Sequence, residues 1–328
     1  MIITRTPFRI SLFGGGTDYP AWYRENGGAV LAGSINKYCY LSCRRFPPFF
    51  EVKYRVVYNR IELVNTIDEI EHPSVRTCIK SYGPDDTGLE IVHNADLPAR
   101  SGLGSSSAFT VGLLHALHGL AGRLVGRPQL AEQAIHLEQE VMCENVGSQD
   151  QIAVALGGLN VISFAGDGWR AQPLPLPRLR REELEAHLML FFTGISRTAS
   201  DVAAHQIRNL SRRAVELRAM QAMVDHGIEI LTGNGDITDF GQLLDESWQL
   251  KRRLSEYIST DLIDELYARA RANGALGGKL LGAGGGGFLL LFARPADQPV
   301  IRAALAGYLY VPFRFENAGS QIILYNPA

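Results

Sequence analysis

The sequence has no long apolar run. Its longest, FLLLFA at 288–293, is far too short to cross a bilayer. The opening MIITRTPFRI lacks the apolar region of a signal peptide. Cysteine is scarce: Cys39, Cys43, Cys78 and Cys143 form no CxxC pair and no His/Cys cluster with zinc spacing. That excludes a zinc module and points to core thiols in a reducing compartment. An excess of one charge is also missing. The net charge of −2, with acidic and basic residues interspersed, argues against a nucleic-acid or membrane partner. There is no internal repeat. What remains is a cytoplasmic enzyme or binding protein that works on small molecules, with a homodimer left open.

What is present is enough chain for two moderate domains or one large one, 328 residues with 46% hydrophobic. RISLF (9–13), YCYLSC (38–43) and RVVYNRIEL (55–63) read as strands, and LEIVHNADLP (89–98) as a strand closed by Pro98. Leu113, Leu114, Leu117 and Leu120 mark one face of a helix starting near Ser105. A second helix runs from about Gln129 to Glu144 behind Pro128. QPLPLPRLRREEL (172–184) reads as an extended connector, HLMLFFTG (187–194) as a buried strand, 199–231 and 239–257 as charged surface helices, and QIILY (321–325) as a final strand. Strands and helices mix without a strict βαβ rhythm, which predicts an α+β fold. The division expected is a domain at 1–171, a connector at 172–186 and a domain at 187–328.

Three glycine-rich stretches carry the chemistry. In PARSGLGSSSAF (98–109), small residues lead directly into a helix. A helix N-terminus offers unpaired N–H groups and a positive dipole end, and glycines let backbone close around an anion. Ser101, Gly102, Leu103, Gly104, Ser105, Ser106 and Ser107 are therefore candidates for a nucleotide phosphate site. There is no GK[ST], so it is not a Walker loop. A tight turn capped by serine has the same composition, and this stretch alone does not choose. In TPFRISLFGGGTDYP (6–20), Arg9 lies on a strand, and Thr17 and Asp18 follow a glycine turn. Arginine can neutralise a transferring phosphoryl group, and aspartate can accept from sugar hydroxyls. In GAGGGGF (282–288), four glycines sit between apolar strands, which implies close approach to a ligand or another loop.

In GSQDQIA (147–153), Gly147 ends one helix, and Ser148 with Gln151 forms a capping box for the next. Asp150 then sits in the first turn, where the dipole favours a negative charge. It is a candidate for orienting and deprotonating an attacking hydroxyl, although dipole compensation alone would also place an acid there. Glu138, Glu140 and Glu144 flank the stripe Leu130, Ala134, Leu137, Val141, with Gln139 pointing away. One of the three could reach inward to hold Mg²⁺, though spacing does not say which, and a solvated rim is the plainer reading of all three.

Taken together and in this order, the three stretches resemble the GHMP kinase superfamily. The resemblance implies a two-domain α+β fold with the active site in the cleft between a mixed-sheet domain and an antiparallel-sheet domain. It implies ATP and Mg²⁺ as cofactors, Asp150 as catalytic aspartate with Arg9 beside it, Ser106 and Glu138 as Mg²⁺ ligands, and Asp18 as a sugar ligand. Thr17, Gly15 and Gly16 would line the sugar site, and Gly284, Gly285 and Gly286 would close it from the second domain. Galactokinase-like members usually carry Gly-Glu-His where this chain has Gly14, Gly15 and Gly16. GGGTDYP, GSINKY (33–38), GSQDQIA and FFTGISRTAS (191–200) resemble the branch that phosphorylates D-glycero-D-manno-heptose 7-phosphate at the anomeric oxygen. Such a phosphosugar needs a cationic clamp, for which Arg197 and Lys37 are the candidates. Another small-molecule kinase of the superfamily and a non-catalytic sensor on the same fold are the competing readings.

Overall fold

The β-rich opening of the chain folds into the two longest strands, β1 (Ile2–Phe13) and β2 (Gly28–Arg45), separated by α1 (Pro20–Asn26). The computed structural model describes residues 1–84, 88–166, 168–195 and 199–327. Residues 55–63, read above as one strand, form a hairpin of β3 (Tyr54–Val57) and β4 (Ile61–Val64). Tyr58 N donates to Arg60 O across its tip at 2.8 Å, where Asn59 supplies a turn residue. Next come α2 (Pro73–Tyr82), β5 (Leu89–Ala95), α3 (Ser105–Leu120), α4 (Arg127–His136), α5 (Gln149–Leu156), β6 (Leu159–Ala165) and β7 (Gly168–Pro173). The expected connector is largely structured. β7 runs through Pro173, and α6 (Arg178–His187) starts behind Pro177, with Arg178–Glu182 and Arg181–Glu185 pairs spaced i,i+4 along it.

The second half holds β8 (Leu188–Phe192), α7 (Ala199–Asn209), α8 (Ala214–Thr232), α9 (Thr238–Arg253), α10 (Asp261–Ala272), β9 (Ala275–Leu280), β10 (Phe288–Ala293), α11 (Gln298–Ala304), β11 (Leu309–Tyr310) and β12 (Gln321–Tyr325). The helix read across 199–231 is broken by a tight turn at Leu210–Arg213.

The first sheet runs β12-β1-β2-β5-β3-β4, with β6 also on β2 and β7 on β6. β2 is long enough to serve two neighbours: residues 28–33 pair with β6 and 39–45 with β5. The second sheet, β11-β8-β10-β9, is antiparallel throughout. One strand departs from the sequence division at 187–328: β12 pairs with β1 and closes the edge of the first sheet. Such a pairing between chain ends leaves no local pattern to read.

α3 runs through the core. From Ser107 to Leu120 every residue but His115 is buried, so it is enclosed all round rather than on the single leucine face expected. Between the sheets, Phe240 of α9 meets Phe13 of β1 at 5.0 Å and Phe292 of β10 at 5.8 Å, ring centre to ring centre. Phe240 is wholly buried, and truncating such a residue to alanine costs about 3–5 kcal/mol. This packing ties β1 of the first sheet to β10 of the second through α9.

Candidate active site

β1 delivers Arg9 to the point where the first two motifs meet. Its backbone N donates to Leu103 O at 3.0 Å, and its Nη1 donates to Gly102 O at 2.7 Å. The rest of the guanidinium grips Asp150 at two points, Nε to Oδ1 at 2.7 Å and Nη2 to Oδ2 at 2.6 Å. Arg9 is 3% exposed and Asp150 27% exposed. One buried cation thus fixes the glycine loop and the acid together, while the acid keeps a face open to solvent.

The loop then turns into α3 at Gly104, which caps the helix in the left-handed conformation. Its neighbour is Arg9, whose Cγ would lie 3.0 Å from a Cβ there, so only glycine fits both demands. The first helical hydrogen bond runs from Ala108 N to Gly104 O. The N–H groups of Ser105, Ser106 and Ser107 are left without helical acceptors, as an anion site requires.

Asp150 lies in the first turn of α5, as expected, but the capping box does not form. The Ser148 side chain makes no cap hydrogen bond and instead meets Tyr23 Oη and Gln139 Nε2. Gln151 Nε2 donates to Glu138. Asp18 sets the start of α5: its O accepts from Ser148 N at 2.9 Å, and its Oδ1 accepts from Gly16 N at 2.9 Å. A Cβ on Gly147 would fall 1.9 Å from Asp18 Oδ2, so Gly147 serves close approach as well as helix termination. Burial, and then the nearby Asp150 charge, push the Asp18 carboxyl above its usual range. Thr17 bonds locally, its Oγ1 donating to Gly14 O and Ala29 O. Among the described residues, the motif's first-loop glycines place Gly15 partly exposed beside Ser11 and Gln149.

Profiles of two domains match the chain: the GHMP kinases N terminal domain at residues 66–158 and the GHMP kinases C terminal domain at 227–311. Over 308 residues it is also 30% identical to the D-glycero-alpha-D-manno-heptose 7-phosphate kinase of Campylobacter jejuni, spanning 90% of this chain and 91% of that protein. The chain belongs to the GHMP kinase family. A second relative of this GHMP kinase is the bifunctional fucokinase/GDP-fucose pyrophosphorylase of Arabidopsis thaliana, 29% identical across 89% of this chain and 30% of that protein. Its fold is shared with the crystal structure of a D-glycero-D-manno-heptose 1-phosphate kinase from Bacteroides thetaiotaomicron, with a TM-score of 0.81 at 22% identity over 99% and 100% of the two chains.

In this GHMP kinase, geometry separates the three glutamates. α4 runs into a π-turn at Leu137–Val141, which changes which side chains face inward. Glu138 is fully buried, Glu140 pairs with His136 at the surface, and Glu144 lies beyond the turn. The same turn brings Gln139, expected to point away, onto Val146 O and Ser148 Oγ. Glu138 Oε2 accepts from Ser107 Oγ at 3.0 Å and from Gln151, while Oε1 lies outside hydrogen-bond geometry, with the Thr110 hydroxyl near enough to the carboxyl to favour its charge. Burial pushes this carboxyl up to about 7. A buried acid with an unpartnered oxygen and, among the described residues, no ion pair fits a divalent cation. The serine it touches is Ser107. Ser106, the ligand expected, makes no hydrogen bond with Glu138 and lies exposed, because neighbouring helical residues point about 100° apart.

The third motif meets the second backbone to backbone. A Cβ on Gly282 would lie 2.4 Å from Gly102 Cα, and one on Gly287 would lie 2.3 Å from Ser101 O. Gly284, Gly285 and Gly286 instead pack on their own domain: Gly285 N donates to Ile258 O, and a Cβ on Gly284 or Gly286 would strike Ile258 or Ile195. Lys37 sits half-exposed at a bulge in β2 and makes no hydrogen bond with Arg9, Asp18 or Asp150 among the described residues. Arg197 lies outside the described residues.

Sequence reasoning missed two lysines. Lys251 of α9 and Lys279 of β9 are 6% and 2% exposed, and both lie close enough to Arg9 and Asp18 to feel their charge. Lys279 Nζ donates to Leu12 O of β1 at 2.9 Å and so ties the second sheet to the first. The available signal was that Lys251 continues the buried stripe Phe240, Leu244, Trp248 at helical spacing. Gln206 was missed as well. It accepts from Tyr19 Oη at 3.3 Å and donates to Ala283 O at 2.5 Å, bridging the first and third motifs.

Proposed function

We propose that this protein transfers the γ-phosphoryl group of ATP to the anomeric C1 hydroxyl of D-glycero-D-manno-heptose 7-phosphate, giving the 1,7-bisphosphate. The reaction would feed activated heptose into bacterial surface polysaccharides from the cytoplasm. The observation that carries this reading is the match, at 30% identity along nine tenths of both chains, to a heptose 7-phosphate kinase. The glycine triplet Gly14–Gly16 supports it, since it supplies no side chain of the kind galactokinase-like members present to their sugar.

The N–H groups of residues 102–107 cradle the nucleotide phosphates at the start of α3. Asp150 receives the C1 hydroxyl on its open face. An acid held at two points by arginine is better suited to orienting that hydroxyl and accepting its proton late than to removing it early. Phosphoryl transfer through a loose transition state asks for little more. Arg9 holds the acid in place and puts positive charge beside the phosphoryl group in flight. Asp18 accepts from sugar hydroxyls. Glu138 and a serine of the second motif, Ser106 or Ser107, would hold Mg²⁺, which when bound neutralises charge on the phosphate oxygens. Arg197 and Lys37 are the candidates for gripping the 7-phosphate.

The fucokinase relative favours a second reading, a kinase for a neutral sugar. A substrate panel decides between them: heptose 7-phosphate, free heptose, mannose, fucose, galactose and mevalonate with ATP. ADP release is followed and the new phosphorus signal is assigned by NMR. The highest kcat/KM with heptose 7-phosphate, and an anomeric phosphate in the product, is the expected result. Preference for fucose or free heptose would overturn the assignment. No ADP release with any sugar would point to a sensor.

A further inference from the structure

Two buried basic side chains hold the interlocked glycine loops. Arg9 Nη1 takes Gly102 O at 2.7 Å, and Lys251 Nζ takes Gly282 O at 2.5 Å and Leu280 O at 3.0 Å. Gly282 in turn lies against Gly102, with no room for a Cβ on either. The carbonyls of both loops are therefore held by basic side chains. The two differ in one respect. Arg9 has the Asp150 carboxylate in contact. Lys251 has no carboxylate in contact among the described residues. Asp18 and Asp150 act on it only at longer range, while Arg9 and, from β9, Lys279 oppose its charge.

The donor count shows what is missing. A neutral amine has two N–H donors, and two carbonyls accept them. An ammonium has three. Among the described residues the third proton of Lys251 has no acceptor, and the site's expected ligand is a polyphosphate.

We propose that Lys251 is a positioning residue of the phosphate site: it pins the Gly282 loop against the Gly102 loop, and its ammonium form is completed by the nucleotide phosphates. This rests on the kinase reading above. Burial, then Arg9, hold Lys251 down to about 7 in the free protein. Just above neutral pH a large share of the amine is then uncharged, and that share takes up a proton as the polyphosphate arrives.

The test is calorimetric binding of Mg·ADP to the full chain at one pH slightly above 7, in two buffers of different ionisation enthalpy. Wild-type protein, Lys251→Arg and Lys251→Met are compared. Glu138 and the ADP phosphates titrate in all three, so the differences report residue 251 together with the Lys279 amine coupled to it. Expected are proton uptake by wild type in excess of Lys251→Arg, ADP affinity in Lys251→Arg within about threefold of wild type, and affinity in Lys251→Met down roughly tenfold or more. Equal uptake by wild type and Lys251→Arg would overturn the proposal, and so would undiminished affinity in Lys251→Met. Should Lys251→Met not fold, the wild-type and Lys251→Arg pair decides alone. Wild-type protein that binds no ADP would overturn the kinase reading itself, and this inference with it.

Discussion

Arg9 and Asp150 are joined at two points, Nε to Oδ1 and Nη2 to Oδ2, and the third arm of the same guanidinium holds Gly102 O. A purely electrostatic role would be met by any cation nearby. A positioning role needs the fork.

Arg9→Lys separates the two. Lysine keeps the charge but cannot hold both carboxylate oxygens and the loop carbonyl in a fixed geometry. Turnover is expected to fall on the order of 100-fold, with a lowered melting temperature. Steady-state kinetics beside thermal melts check this. A lysine variant with near-normal kcat would show that charge alone suffices.

Gly102→Ala tests the interlocking of the loops. The position has φ +79°, and a Cβ would sit 2.4 Å from Leu281 O. The left-handed conformation alone costs about 1–2 kcal/mol for alanine, before the clash. Loss of stability together with a raised KM for ATP is expected. A melting temperature and KM matching wild type would mean that the loops are not held this closely in solution.

Glu138 gives a pH signature in the absence of metal and nucleotide. Its carboxyl is raised to about 7 by burial, above its ordinary value in an unfolded chain. Between those values the native state keeps a proton that the unfolded state has released. Stability therefore falls as pH rises through that window, by at most about 1.4 kcal/mol per pH unit. Glu138→Gln should flatten this slope in urea titrations while raising the Mg²⁺ requirement of the reaction. An unchanged slope, or an unchanged Mg²⁺ titration, would remove Glu138 from its assigned place.

Asp18→Asn addresses the sugar side first. Asp18 contacts Gly16 N and the start of α5, with none of the phosphate loop among its bonds. A KM for sugar raised by roughly tenfold or more, with the KM for ATP little changed, is expected. Equal effects on both would mean that Asp18 acts by holding α5 rather than by meeting substrate.

The parts of the site written as short motifs were legible in the sequence. Glycines before a helix start, an acid in a first turn and an arginine on an alternating strand each carry a local physical reason, and the structure places Gly102, Gly104, Asp150 and Arg9 together. The parts that depend on three-dimensional register were not. The π-turn at Leu137–Val141 alters which side chains face in, and no local residue pattern announces it. The choice between Ser106 and Ser107 turns on a single step around α3. Lys251 stands in the run KRR at the end of α9 and reads as a solvated face, yet it lies on the buried stripe. The pairing of β12 with β1 joins the two ends of the chain and has no sequence signature.

Asp150→Asn is the most direct test, because the mechanism turns on that carboxylate meeting the sugar hydroxyl beside a phosphate site it does not itself form. Turnover with heptose 7-phosphate and affinity for Mg·ADP should be measured on the same preparation. Turnover reduced at least ~100-fold with nearly intact ADP affinity is the result expected. Near-normal turnover in the asparagine variant would contradict the role given to Asp150.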